Sequence, residues 1–321
     1  MDVIATRPRA DPAFRADVLA GLAAPIPAVP ARWFYDHRGS ELFEAITRLP
    51  EYYPTRTETA LLERHSAEMA ALAARGAAIV EFGSGSSAKT PILLKAVRPA
   101  AYVPIDISGD FLRESAFGLQ TEFPALSIIP VEADFTRPIT LPPEIAAMPK
   151  LGFFPGSTIG NLVARTAVDL LRAMKETLGD GSRLLIGMDR IKPVEVLLAA
   201  YDDAAGVTAQ FNLNLLHRIN AELDGDIPVG AFRHRAIWND EMSRIEMHLE
   251  AVRDVSFTIS GERFSFRAGE TIHTENSHKY GHRDSRLMLR AAGWGVIEEW
   301  TDEKQWFSIL LAEAEPPRFA P

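Results

Sequence analysis

Residues 79–90, I-V-E-F-G-S-G-S-S-A-K-T, limit what this chain can fold into more than any other stretch. Ile79 and Val80 end a buried strand, Gly83 and Gly85 flank a sharp turn, and a helix restarts at about Lys89. Glycine is needed at such a turn because a Cβ would keep the backbone off a ligand or force φ into a forbidden region. A G-x-G alone is a weak signal. It is sharpened by the strand before it, the helix after it, and Asp106 at the end of the next strand, A-Y-V-P-I-D. Asp106 stands 23 residues past Gly83, about where a doubly wound fold places the carboxylate that holds a ribose. The arrangement points to a nucleoside-bearing cofactor. A glycine-rich turn that binds nothing is the plainer alternative.

The flanking sequence repeats this rhythm. Strands are expected at 77–81, 101–106, up to Asp134, at 151–161 and at 183–189, with helices at 90–97, 109–121 and 166–178 between them. Such alternation implies a parallel sheet covered on both faces. After Asp189 the rhythm breaks. Residues 196–224 read as helical, and 230–270 as strands of period two with a hairpin turn at Gly261. A helix at 285–292 then precedes a final pair of strands. An α/β sheet closed by such a hairpin is typical of class I methyltransferases, whereas a nicotinamide-binding domain usually continues with parallel strands. The expected fold is therefore α/β, a Rossmann-like class I methyltransferase sheet with an added α+β substrate-binding domain. The first domain is expected over 57–191 plus 282–321, and the second over 1–56 plus 192–281.

At the N-terminal end, helical spacing over 11–24 gives way to a Pro/Ala linker at 25–30, then W-F-Y-D and a short amphipathic helix over 41–49. Pro54 is expected to hold Tyr53 extended. Thr55 with Glu58 reads as a capping box for a helix running to about Arg75.

Composition removes several classes. A net charge of −9 over 321 residues argues against a nucleic-acid partner. The absence of cysteine excludes disulfides and thiolate metal sites. The first residues lack an apolar signal core, and no segment reaches about 18 uninterrupted apolar residues. A cytoplasmic protein acting as a monomer on a small molecule, away from membranes, is the expectation.

Several clusters could carry chemistry. Glu81, Gly83, Gly85, Asp106 and Asp134 fall at the carboxyl ends of successive strands, where open α/β sheets bind ligands. Acids there suit a sulfonium cofactor, and Asp134-Phe135 suits an adenine amino group and an apolar ring wall. Each acid taken singly could instead cap a helix. In P-G-S-T-I-G-N, Gly156 and Gly160 let backbone approach a substrate and Asn161 offers a donor and an acceptor; a turn with an Asn cap reads equally well. Tyr35, Tyr52, Tyr53 and Tyr201 are hydroxylated rings in the added segments. Such rings mostly pack, yet aromatic faces also hold a fully methylated amine, a cation with no N–H to bond. Residues 271–282 carry His273, His278 and His282 at a spacing that matches no common zinc site, so no metal is expected. Alternation places His273, Glu275 and Ser277 on one face, where a carboxylate and a hydroxyl could read a polar ring with two nitrogens.

Taken together, W-F-Y-D, R-L-P-E-Y-Y-P-T-R-T-E, E-F-G-S-G-S-S-A-K-T, G-S-T-I-G-N, Y-D-D-A-A-G-V-T, R-I-E-M and T-E-N-S-H-K occur in an order that resembles the S-adenosylmethionine (SAM)-dependent, histidine-specific Nα-methyltransferases. Those enzymes form hercynine, Nα-trimethylhistidine, in the first step of ergothioneine biosynthesis. The resemblance implies a cofactor site of Gly83, Lys89, Asp106, Asp134 and Phe135, with Tyr35 near the methyl donor as orienting group and proton acceptor. It implies that Tyr52, Asn161 and Tyr201 hold the amino-acid end of the substrate, with Gly156 alongside. Glu275 and Ser277 would read the imidazole, with Met247 against the ring and Phe43 in the aromatic wall. Pro155 replaces the family's usual Leu, and the block after Ser277 departs from its pattern. Other readings are a methyltransferase of another amino acid or small amine, and a non-catalytic SAM sensor.

Overall fold

The computed structural model describes residues 11–85 and 89–316. Helices α1 (Pro12–Leu22) and α2 (His37–Thr47) precede the long α3 (Tyr53–Leu72). Strands and helices then alternate: β1 (Ala78–Phe82), α4 (Thr90–Val97), β2 (Ala101–Asp106) and α5 (Gly109–Glu122). The two-residue β3 (Ser127–Ile128) and β4 (Val131–Glu132) follow, then α6 (Pro143–Ala146), β5 (Lys150–Phe154), α7 (Ala164–Leu178) and β6 (Arg183–Asp189). Next come α8 (Val194–Tyr201), α9 (Val207–Glu222), β7 (Phe232–Asn239), β8 (Arg244–Ala251), β9 (Val255–Ile259), β10 (Glu262–Phe266) and β11 (Thr271–His278). The last three elements are α10 (His282–Ala291), β12 (Trp294–Thr301) and β13 (Phe307–Ala314).

The chain forms two compact units, residues 1–53 with 192–277 and residues 54–191 with 278–321. Their limits fall at Tyr53, Ile191 and Ser277, against 56, 191 and 281 from the sequence. The third limit moves because His278 and Tyr280 bond into the second unit, His278 Nδ1 at 2.8 Å from the Gly160 carbonyl and the Tyr280 N–H at 2.9 Å from the Asp189 carbonyl.

The second unit is built on one sheet of order β12-β13-β6-β5-β1-β2-β3, with β4 also on β2. The pairs from β3 through β6 are parallel, while β13 runs antiparallel to both β6 and β12. This is the class I methyltransferase sheet expected from the rhythm and the closing hairpin. Period two sorts β1 between the faces: Ala78, Val80 and Phe82 join Leu170, Leu171, Met174 and Leu289 on one side. Ile79 joins Leu61, Leu62, Leu93 and Leu94 on the other. A fully buried Leu or Ile contributes roughly 1.5–3 kcal/mol, so both faces anchor the strand ends that carry the polar residues.

Four local expectations give way here. The third strand breaks into β3 and β4 because Pro130 has no N–H to give the ladder. The fourth stops at Phe154, since Gly156 and Ser157 turn with φ of 81° and 55° into a 3-10 turn over Thr158–Asn161. Helix α3 begins at Tyr53 itself, with Pro54 in the first turn, where its missing N–H costs nothing. Glu58 caps nothing; its carboxylate is buried against other partners.

In the first unit, α2 packs on α9, and strands β11-β8-β7 form a sheet beside the β9-β10 hairpin. That hairpin turns at Ser260-Gly261, φ 49° and 84°, as its glycine required. The expected continuous helix over 196–224 is split between α8 and α9. Gly206 takes φ 70°, and the Asp203 carboxylate accepts from the N–H groups of Val207 and Thr208 at 3.0 and 2.7 Å, restarting the helix. An isolated bridge ties Ala28 to His273.

Candidate active site

In the second unit the glycine turn after β1 is pinned from β2. The N–H groups of Gly83 and Ser84 both donate to the Ile105 carbonyl, at 2.8 and 3.2 Å. Gly83 has φ 70°, and a Cβ there would meet the Phe135 ring at 3.3 Å. Asp106 ends β2 with each carboxylate oxygen accepting one backbone N–H, Oδ2 from Gly85 and Oδ1 from Ser108, both at 3.0 Å. A carboxylate oxygen has two acceptor sites, so each keeps one for a further donor. Asp134 uses Oδ1 for the N–H and hydroxyl of Thr136, at 3.0 and 2.7 Å. Phe135 stands edge-on to Phe82 and Phe154, with centroids 6.4 and 6.0 Å away. Five sequence-selected residues are thus placed at the ends of β1 and β2 and just after β4. These groups suit a nucleoside: a carboxylate with acceptor sites left for hydroxyls, and an acceptor beside an aromatic ring for a base.

Lys89, the sixth, forms an ion pair with Glu58 from α3. Glu58 is 1% exposed and accepts from the Gly156 N–H through both oxygens, at 3.0 and 2.9 Å. A Cβ at Gly187 would overlap Glu58, so β6 must carry glycine where it passes this carboxylate. Glu58 therefore joins α3, the start of α4 and the turn after β5. The sequence offered it only as a cap, because an acid three residues after a threonine reads the same either way. Asn161 ends its 3-10 turn half-buried, and among the described residues its amide has no side-chain partner.

Glu81, unlike the other strand-end acids, points to the α3/α4 side of the sheet. The hydroxyls of Tyr102 and Thr90 donate to its Oε2 at 2.6 and 2.7 Å. Burial raises its carboxyl to about 7, against the lowering effect of those hydroxyls and of the nearby Lys89 charge. The folded protein therefore keeps this proton where the unfolded chain loses it. Stability from this group is complete below about pH 4.5 and declines as pH rises toward 7, by about 3 kcal/mol at most. Glu81→Gln keeps an acceptor for both hydroxyls and should flatten that decline. Melting temperatures of the two proteins should coincide near pH 5 and separate by pH 8 in favour of the variant; parallel curves would refute the assignment.

In the first unit five sequence-selected side chains form one run. Tyr35, 37% exposed, meets Phe43 edge-on at 5.7 Å, and Phe43 meets Tyr52 at 6.3 Å. Tyr52 meets Tyr201 at 6.2 Å, and the Tyr201 hydroxyl lies 2.6 Å from Ser277 Oγ. Phe211 of α9, which no sequence motif marks, touches Phe34, Tyr35 and Phe43 at 4.6, 5.8 and 6.0 Å. A phenylalanine at helical spacing carries no signal beyond core. The Tyr53 hydroxyl accepts from Lys192 at 2.8 Å. Met247 is 2% exposed and lies between Glu246 and His248 on β8. Glu275 sits on β11, its carbonyl 3.0 Å from His273 Nε2.

The three histidines weighed as metal ligands do not converge: His278 bonds to Gly160, His282 faces Glu299, and His273 stacks on His248 at 4.7 Å. Donor atoms of Glu246, His248 and His273 do come within 4.8 Å of one another. Arg244 and Asn239 already fill one oxygen of Glu246, and they overcome burial to hold its carboxyl at about 2. The charges of Arg244 and Arg235 also bear on the two imidazoles. Cations are already in place there, so the cluster reads as an ion-pair network rather than a metal centre.

A family model described as histidine-specific, SAM-dependent methyltransferase matches residues 14–314. The chain belongs to that family. It is 42% identical over 307 residues to the histidine N-alpha-methyltransferase of Mycolicibacterium smegmatis, covering 94% of each protein. It is 30% identical to ergothioneine biosynthesis protein 1 of Neurospora crassa, covering 89% of this chain and 33% of that one. The solved CcbJ methyltransferase of Streptomyces caelestis shares the fold at a TM-score of 0.51 and 13% identity, over 88% of this chain and 100% of that one. Among the described residues no helix is long and apolar enough to cross a membrane.

Proposed function

We propose that the protein transfers methyl groups from SAM to the α-amine of L-histidine, three times in succession, to give hercynine for ergothioneine synthesis. The observation that carries this reading is the order of groups in the first unit. Ser277 stands at one end, the phenols of Tyr201 and Tyr52 in the middle, and the rings of Phe43 and Tyr35 at the other. That order follows histidine itself: polar ring, carboxylate, then the α-amine, whose nitrogen becomes a fixed cation without N–H bonds as it is methylated. Aromatic faces suit such a cation. Glu275 and Ser277 would read the two ring nitrogens, with Met247 against the ring. The roles of Asn161 and Gly156 at the amino-acid end rest on the resemblance.

SAM, when bound, supplies an electrophilic methyl carbon. Gly83, Lys89, Asp106, Asp134 and Phe135 would hold its nucleoside and amino-acid parts. What remains for the protein is alignment and an unprotonated amine. Tyr35 would orient the amine first and take protons second, because a phenol near pKa 10 is a weak base at neutral pH. A non-catalytic sensor would have no use for such an ordered run of phenols and rings.

Purified protein incubated with SAM and each amino acid in turn should add one, two and three methyl groups to histidine, all on the α-nitrogen by fragment mass. A product methylated only on the imidazole would defeat the proposal, and tight SAM binding without turnover on any amino acid would favour the sensor. Glu275→Ala should raise the KM for histidine and leave SAM affinity in place, since a site built to bond a polar ring loses its partner.

A further inference from the structure

Behind Tyr201 and Ser277 lies a closed set of buried hydrogen bonds. Asn212 of α9 is fully buried. Its Nδ2 donates to the His248 carbonyl at 3.0 Å and meets His234 Nδ1 at 2.9 Å, while its Oδ1 accepts from Thr274 Oγ1 at 2.8 Å. Thr274, 2% exposed, also reaches the Met247 carbonyl at 3.0 Å. His234 of β7 completes the set with Nε2 at 2.8 Å from the Tyr201 carbonyl.

The chemistry of the partners fixes the protons of Asn212 and His234, while the single Thr274 hydroxyl proton is shared between Asn212 Oδ1 and the Met247 carbonyl. The His248 carbonyl can only accept, so the Asn212 amide must point its NH2 that way. The same NH2 faces His234 Nδ1, which must therefore be the unprotonated nitrogen. Nε2 then carries the hydrogen, as its carbonyl partner requires. His234 is neutral in this arrangement, in keeping with burial, which lowers its pKa against the raising effects of the Tyr201 carbonyl, Asp202 and Asp203. All of Asn212's hydrogen-bonding groups are used, and no alternative orientation satisfies them.

The set also closes on itself. From the Tyr201 backbone it runs through His234, Asn212 and Thr274 to β11, where Ser277 returns to the Tyr201 hydroxyl at 2.6 Å. It links α8, α9, β7, β8 and β11, the elements that carry Tyr201, Met247, Glu275 and Ser277. We infer that His234 and Asn212 are positioning residues for histidine binding: they touch no substrate group, and they set the distance between the Tyr201 phenol and the reader strand β11. This rests on the proposed role of Tyr201 and Ser277 at the histidine site.

The test compares His234→Leu, Thr274→Val and His234→Gln with Tyr201→Phe. A buried hydrogen bond left half-made costs enough to raise the KM for histidine roughly tenfold or more in His234→Leu. Thr274→Val keeps the shape, removes one hydroxyl and should move KM the same way by about fivefold. In both, SAM affinity by calorimetry should hold. The rate at saturating histidine should stay within about threefold, because the loss falls on binding. His234→Gln can put an N–H donor where Nε2 stands, facing the Tyr201 carbonyl, and should restore part of the affinity. If His234→Leu fails to fold, Thr274→Val and the glutamine variant decide. Unchanged KM in Thr274→Val, or SAM affinity falling in step with histidine affinity, would overturn the inference. So would a glutamine variant no better than leucine. Tyr201→Phe separates the two levels: if it leaves the KM for histidine unchanged, the proposed substrate site itself is wrong; if it raises KM while the relay variants do not, only the relay is wrong.

Discussion

Glu58→Ala is expected to destabilise the second unit and to remove SAM binding together. The substitution takes the acceptor from the Gly156 N–H and strands the Lys89 ammonium, whose side chain is only 16% exposed. Removing one partner of a buried pair costs about 3–5 kcal/mol, which for a unit of this size lowers the melting temperature by roughly 10 °C. Glu58→Gln keeps an acceptor for Gly156 and loses only the charge, so it should melt between the two. Lys89 at the start of α4 and the turn after β5 are both tied to this carboxylate, so SAM affinity should follow stability in the same order. A Glu58→Ala protein with unchanged melting temperature and calorimetric affinity would show that Glu58 is an ordinary helix residue. Gly187→Ala is the complementary variant, forcing the carboxylate away from the far side.

The contrast between Glu58 and Gly83 shows what a sequence discloses. Gly83 was legible because the need for it is local: a turn with φ 70°, a strand before it and an acid one strand later. The same holds for Gly261 in its hairpin, for the alternation that gave the parallel sheet, and for the closing β12-β13 pair. Each depends on a period or a turn within a few residues. Glu58, Phe211, Asn212 and His234 act through partners 22 to 177 residues away in the chain. Nothing at their own positions distinguishes a buried acceptor from a surface acid, or a ring-cluster centre from core. The same limit explains the misread capping box and the single helix expected over 196–224, where Asp203 and Gly206 signal a restart only once their partners are known. Tyr35, Tyr52, Tyr201 and Ser277 were reached from motifs, yet their sequence positions gave no sign that they form one contiguous run.

Asp106→Ala carries the other large effect. In the folded protein each oxygen of Asp106 accepts one backbone N–H, so the carboxylate both braces the glycine turn and keeps acceptor capacity for the two proposed ribose hydroxyls. Charge-assisted bonds contribute about 1.5–3 kcal/mol each, and losing the ribose pair should weaken SAM binding roughly hundredfold or more. Loop bracing alone would also weaken binding, so affinity by itself does not separate the two roles. A cycle with S-adenosylhomocysteine and its 2′-deoxy analogue does. If Asp106 holds the ribose, removing the 2′-hydroxyl should cost the wild-type protein much affinity and the alanine variant little, since the bond is already gone. Equal penalties in both proteins would mean that Asp106 only shapes the turn, and the ribose would have to be sought beside another strand end. Asp106→Asn sharpens the result. Its amide can accept from only one of Gly85 and Ser108 and presents N–H groups to the other, so the turn should loosen even though the side chain keeps its size.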